Sequence, residues 1–123
     1  MSSVEIARKE GEASDFVDAV IEEDGRVQMI RNSFGPGDYE TEVTAAVAEE
    51  DKERLLLALL ERVLGGHTAA VKEYTELARQ PEAKDSTLLA LLKKVFGGNI
   101  WAVEAFRDFA QSNGISIAWF RWP

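Results

Sequence analysis

Leu56 to Ala78 reads LLALLERVLGGHTAAVKEYTELA, and Leu88 to Ala110 reads LLALLKKVFGGNIWAVEAFRDFA. The two segments align at an offset of 32 residues without a gap, and 11 of their 23 positions are identical. Both copies share the LLALL run, Val63/Val95, the glycine pair, Ala-Val at 70–71 and 102–103, and Ala78/Ala110. This is an internal repeat. Leu56, Leu59, Leu60 and Val63 recur at helical spacing, and Gly65-Gly66 then interrupts them. Glycine just past a helix end accepts the left-handed conformation that closes the last turn, so Gly65 and Gly97 are expected at positive φ. Ala70, Val71, Tyr74, Leu77 and Ala78 line one face of a second helix, as do Ala102, Val103, Phe106, Phe109 and Ala110. Each copy therefore reads as a helical hairpin, with helices over 53–64, 67–79, 86–96 and 99–112. Asn99 is the expected N-cap of the last, His67 or Thr68 of the second, and Asp85 or Ser86 of the third. The polar stretch RQPEAKD (79–85) connects the copies. Two hairpins packed with approximate two-fold symmetry would share a four-helix core. The more aromatic second copy is expected to sit deeper or to contact the rest of the chain.

Ahead of the repeat the pattern changes. FVDAVIE (16–22) and RVQMIRN (26–32) flank Glu23-Asp24-Gly25. Asp-Gly between apolar-rich runs signals a β-hairpin, and a type I′ turn is expected there. Residues 34–38 (FGPGD) form a second turn. Tyr39, Thr41, Val43, Ala45 and Val47 then alternate with Glu40, Glu42, Thr44, Ala46 and Ala48, which predicts a third strand over 39–48; a helix through TEVTAAVAEED is the alternative. After Asn113-Gly114, ISIAWFRW (115–122) is β-branched and aromatic, and reads as a fourth strand or an ordered tail. The expected fold class is α+β, a small antiparallel sheet on a tandem repeat of two αα-hairpins. The expectation is a single domain over 1–123, divided into an acidic β-rich part (1–50), the repeat (51–112) and an aromatic tail (113–123).

The 123 residues carry 22 Asp plus Glu, 14 Lys plus Arg, one His and no Cys, for a net charge of −8. No disulfide, thiol nucleophile or thiolate zinc site can form, and a serine triad would have to use the single His67. The longest apolar run, Leu55 to Leu60, is far short of a membrane span, and MSSVEIARKEGE lacks the apolar core of a secretory signal. A cytoplasmic protein is expected. The acidity is one-sided: residues 1–53 have a net charge of −10 and residues 54–123 of +2. Such a field disfavours direct binding to nucleic acid and attracts basic proteins.

No constellation carries catalysis. Aligning Gly25 with the sixth position of a calcium loop places Val20 and Arg31 where carboxylates are needed. Gly35-Pro36-Gly37 lacks phosphate-loop spacing. Glu40 and Glu42 share one strand face without a partner. The second arms of the hairpins are not cationic, which argues against a DNA-reading helix. Neither a metal site nor a cofactor is expected. The expected binding residues are one acidic face of Glu22, Glu23, Asp24, Glu40, Glu42, Glu49, Glu50 and Asp51. Trp119, Phe120 and Trp122 are the alternative, either as core residues or as an exposed anchor for a partner.

In size, acidity and lack of a catalytic set, the chain resembles small inhibitory proteins of bacteria and phages: toxin-immunity proteins, antitoxins and anti-CRISPR proteins. The likeness covers gross properties and no motif. It implies a non-enzymatic inhibitor or immunity-type protein acting on a basic partner, such as a nucleic-acid-processing one. The alternatives are a small regulatory or ligand-binding domain with an apolar pocket between repeat and sheet, and an enzyme with a carboxylate-only site.

Overall fold

Apolar residues at alternate positions build four consecutive antiparallel strands, β1 (Ser2–Lys9), β2 (Ser14–Ile21), β3 (Val27–Phe34) and β4 (Glu40–Val47). This is seen in a computed structural model that describes residues 1–37 and 40–123. Asp38 and Tyr39, expected in the second turn and at the start of the third strand, lie outside the described residues. Four helices follow: α1 (Lys52–Leu64), α2 (His67–Ala78), α3 (Lys84–Phe96) and α4 (Ala102–Ser112). The chain then returns as β5 (Ala118–Trp122), antiparallel beside β4, so the sheet order is β1-β2-β3-β4-β5. The fold is α+β, as expected.

Period-two alternation puts Val17, Ala19 and Ile21, then Val27 and Met29, then Val43, Ala45 and Val47 on one face of the sheet. All join one core with Leu55, Leu59, Leu88, Leu92, Val103 and Phe106. Val20 and Ala46 are buried on the opposite face yet lie outside that core, which shows that the helices cover one face only.

The first strand was not expected. Its pattern is broken by a bulge at Ile6, between Glu5 and Ala7, which turns both Ile6 and Ala7 inward. The Ile6 carbonyl accepts the Gly98 N–H at 2.8 Å, and Lys93 Nζ donates to the Glu5 carbonyl at 2.9 Å, so the bulged strand is pinned to the end of α3.

The β2–β3 hairpin forms, but its turn is not type I′. Only Gly25 has positive φ (90°), the Gly25 N–H donates to the Glu22 carbonyl, and the Glu22 N–H donates to the Arg26 carbonyl. That is a three-residue loop closed by a left-handed glycine, which spares Asp24 the strained conformation. A Cβ on Gly25 would collide with Cγ of Glu49, so the loop rests directly on the β4–α1 junction.

The repeat is present, but the expected symmetric four-helix core is not. In the first copy α2 packs along α1 and faces solvent, burying only Ala70 and Leu77. In the second, α3 lies over β1 and β2 and α4 over β3 and β4. The identical residues Val71 and Val103 are consequently exposed and buried, as are the equivalent Leu64 and Phe96. The aromatic excess explains the difference: Phe96 packs edge-on against Phe106 and Phe109, with centroids 5.9 Å apart, and fills the space between helices and sheet. The second copy does sit deeper.

The glycine pairs differ too. Gly65 is left-handed (φ 76°), but in the second copy Gly98 takes that role (φ 81°) and Gly97 is extended (φ −57°, ψ 136°). The expected caps are also revised. Gly66 precedes α2, and His67, its first residue, instead bonds Glu61 of α1 through Nδ1 at 2.6 Å. Helix α3 starts at Lys84, straight after the turn Pro81–Ala83, so Asp85 and Ser86 lie inside its first turn and Asp85 pairs with Lys52 of α1 (2.6 Å). Asn99 is not the N-cap either: α4 starts at Ala102 with Trp101 at its N-cap, and the Asn99 side chain accepts the Trp101 N–H at 2.9 Å within the preceding turn.

Candidate functional site

The eight carboxylates expected on one face occupy two places. Gly25 brings the β2–β3 loop, with Glu22, Glu23 and Asp24, onto Glu49, which begins a short turn of helix with Glu50 and Asp51. These six form one acidic end of the molecule, where Arg26 is bound to Asp24 (Nε to Oδ2, 2.9 Å). Glu40 and Glu42 lie at the other end of β4. From Glu42 to Val47 the strand advances about 16 Å at its usual rise. That is about twice the screening length at physiological salt, so the two sets do not act as one field.

Glu40 and Glu42 belong instead to the sheet face that no helix covers. The register places Phe16, Asn32, Glu42 and Trp122 in one row across it, and Asp18, Ile30, Thr44 and Phe120 in the next. Ser14, Phe34 and Glu40 complete the edge. Trp122 is 72% exposed, Phe120 53% and Phe34 40%, so these aromatics are not core. Phe34 packs edge-on to Phe16, over which the Arg8 guanidinium sits 5.4 Å from the centroid. Glu5, Asp18, Glu40 and Glu42 share this face with Arg8 as its one cation among the described residues. Arg8 is itself engaged by Glu5 at 3.1 Å. Partial burial and the nearby Glu5 raise the pKa of Asp18 above the ordinary carboxylate value, against the pull of Arg8.

Alternation sends the third aromatic of the tail to the other side. Trp119 and Arg121 pair with Ala45 and Val43 and face the helices. They line a cleft of about 280 Å³ with Trp101 and Glu104 from the start of α4 and with Arg31, Thr41 and Asp15 from the sheet. Arg31 is buried and forms a two-pronged pair with Glu104, Nη1 to Oε1 at 2.6 Å and Nη2 to Oε2 at 2.9 Å. Burial works against ionisation of Glu104, but the Arg31 hydrogen bonds and charge outweigh it and hold the carboxyl below its usual range. The Arg31 guanidinium also lies 4.9 Å from the Trp101 ring centroid, and Arg107 lies 4.7 Å from that of Trp119. Thr41 Oγ1 is buried without a hydrogen-bond partner among the described residues.

Arg31, Trp101 and Glu104 carry no signal in the sequence, because a strand residue, a turn residue and a helix residue some 70 positions away share no spacing. Among the described residues no group of three or more His, Asp or Glu side chains is placed to hold a metal ion, and no helix is long and apolar enough to cross a membrane. No family model, curated protein or solved structure matches the chain.

Proposed function

We propose that this chain is a non-enzymatic protein-binding module that docks a basic protein on the uncovered face of its sheet. The observation that carries this reading is the pair Trp122 and Phe120, standing exposed beside Glu42 on a face with four carboxylates and one guanidinium. Exposed large aromatics are the side chains that anchor interfaces, and surrounding charges of one sign select and steer the partner. An inhibitor or immunity-type role, with the carboxylates covering a cationic surface of the target, is the specific form proposed.

The test begins with the oligomeric state of the purified chain, since a second copy could cover the same face. A monomer supports the reading, and a dimer that Trp122→Ala dissolves overturns it. A partner captured by cross-linking must be basic and must bind in purified form. Trp122→Ala should weaken that binding by about 30-fold, the size of an interface hot spot. Glu40→Gln with Glu42→Gln should slow association at low salt, with the gap closing as salt rises. A partner that binds both variants as tightly and as fast as the wild type refutes this face as the docking surface.

A further inference from the structure

We propose that the cleft between α4 and the helix-covered end of β3, β4 and β5 binds a pyranose sugar. Two exposed indoles flank it, Trp101 at 62% and Trp119 at 39% exposure. Each is held in place by a guanidinium stacked on its ring, Arg31 on one and Arg107 on the other. A cation as ligand is disfavoured, because both rings already carry a positive charge. An anion is disfavoured as well. Arg31 is committed to Glu104 through both terminal nitrogens, and the lining charges cancel, Arg31 and Arg121 against Asp15 and Glu104.

What remains is a neutral ligand with an apolar face for the indoles and a rim that both donates and accepts. Arg121 has no ion-pair partner among the described residues and offers donors only. Asp15 accepts one bond from Ser33 and keeps further lone pairs. The unpaired hydroxyl of Thr41 can do either. Sugar hydroxyls have this dual character, while the C–H face of the ring presents positive edges to the negative face of an indole. The volume of about 280 Å³ lies just below the usual range for drug-sized ligands and suits one sugar unit.

The indole Nε1–H signals of nitrogen-15-labelled protein give the test, with Trp122 on the opposite face as an internal control. The probes are glucose, galactose, mannose and N-acetylglucosamine, each free and as its methyl glycoside, with adenosine, uridine and acetate for comparison. At millimolar concentrations at least one pyranose should shift the Trp101 and Trp119 signals and leave Trp122 in place. Equal binding of the methyl glycoside identifies the terminal unit of a glycan as an acceptable source, and loss on methylation identifies the free sugar. Trp101→Ala, at an exposed position, should weaken binding about tenfold or more. Thr41→Val should weaken it several-fold while the melting temperature holds or rises, since the variant removes a buried hydroxyl that has no partner among the described residues. Shifts with nucleosides or acetate in place of sugars, no shift with any pyranose, or unchanged affinity in folded Trp101→Ala each overturn the proposal.

Discussion

Replacing Glu104 by Ala removes the carboxylate that holds Arg31 and leaves a guanidinium buried between sheet and helix. Exposed ion pairs contribute about 0–1 kcal/mol, and breaking a fully buried one costs about 3–5 kcal/mol. The Arg31 side chain is 11% exposed and that of Glu104 is 30% exposed, so this pair belongs between those limits. A loss of about 2–3 kcal/mol is expected, or a fall of about 10 °C in melting temperature for a chain of this size. Arg31→Met should cost less, because the charge it leaves unpaired, on Glu104, is the more exposed of the two and can be hydrated. In a double-mutant cycle of Arg31→Met with Glu104→Ala, followed by urea unfolding, the coupling should reach about 1.5 kcal/mol. The pH dependence has a fixed sign. Glu104 has a lowered pKa in the folded chain, so its stabilisation is full above the unfolded-state carboxylate pKa, about 4.3, and is lost as pH falls through the lower folded value. The stability gap between wild type and Glu104→Gln should therefore stay level from neutral pH to about 5 and close in more acidic solution. A coupling below about 0.5 kcal/mol would show that α4 is held by apolar packing alone.

The equivalent glycines should respond in opposite ways. Gly65→Asn should be nearly neutral, since Asn tolerates the left-handed conformation and no atom lies within 4 Å of the new Cβ, whereas Gly97→Asn should cost about 1–3 kcal/mol through collision with the Lys93 carbonyl. Equal urea midpoints for the two variants would contradict this. Asp18 titrates the other way from Glu104: its raised folded pKa means that its favourable contribution is present below the unfolded value and lost as pH rises through the folded one. Asp18→Asn should accordingly be more stable than the wild type at pH 7, with the advantage vanishing near pH 3; an advantage that grows on acidification is the opposing result.

The elements whose periodicity is local were legible in the sequence. Leu56, Leu59 and Leu60 announce α1, and Thr41, Val43, Ala45 and Val47 announce β4, because one side chain pattern repeated over two or three turns or pleats is enough. β1 was hidden by its own bulge, which places Ile6 and Ala7 side by side on the buried face and destroys the alternation. The symmetry of the helical pairs breaks for a different reason. An internal repeat reports that two segments share a local structure, and it is silent about what covers them. Val71 and Val103 are the same residue at the same repeat position, and only the sheet beneath α4 decides that one is buried and the other is not.

The candidate surfaces were harder to read because they depend on which side of a strand each residue takes. Trp119, Phe120, Arg121 and Trp122 look like one aromatic tail in the sequence. Once β5 pairs with β4, the period of two divides that tail: Trp119 and Arg121 enter the cleft with Arg31 and Glu104, and Phe120 and Trp122 join the uncovered face with Glu42. The acidic residues undergo the same sorting, since the 16 Å or so of β4 separates Glu40 and Glu42 from the six carboxylates around Gly25. A single strand thus borders both proposed binding regions. Its register is set by the burial of Ala45 and Ala46 opposite Trp119 and Ala118, and a slip of one residue would exchange the contents of the two faces. Both surfaces therefore depend on β4–β5 pairing, and a substitution can alter one without the other because neighbouring residues of β5 point to opposite sides of the sheet.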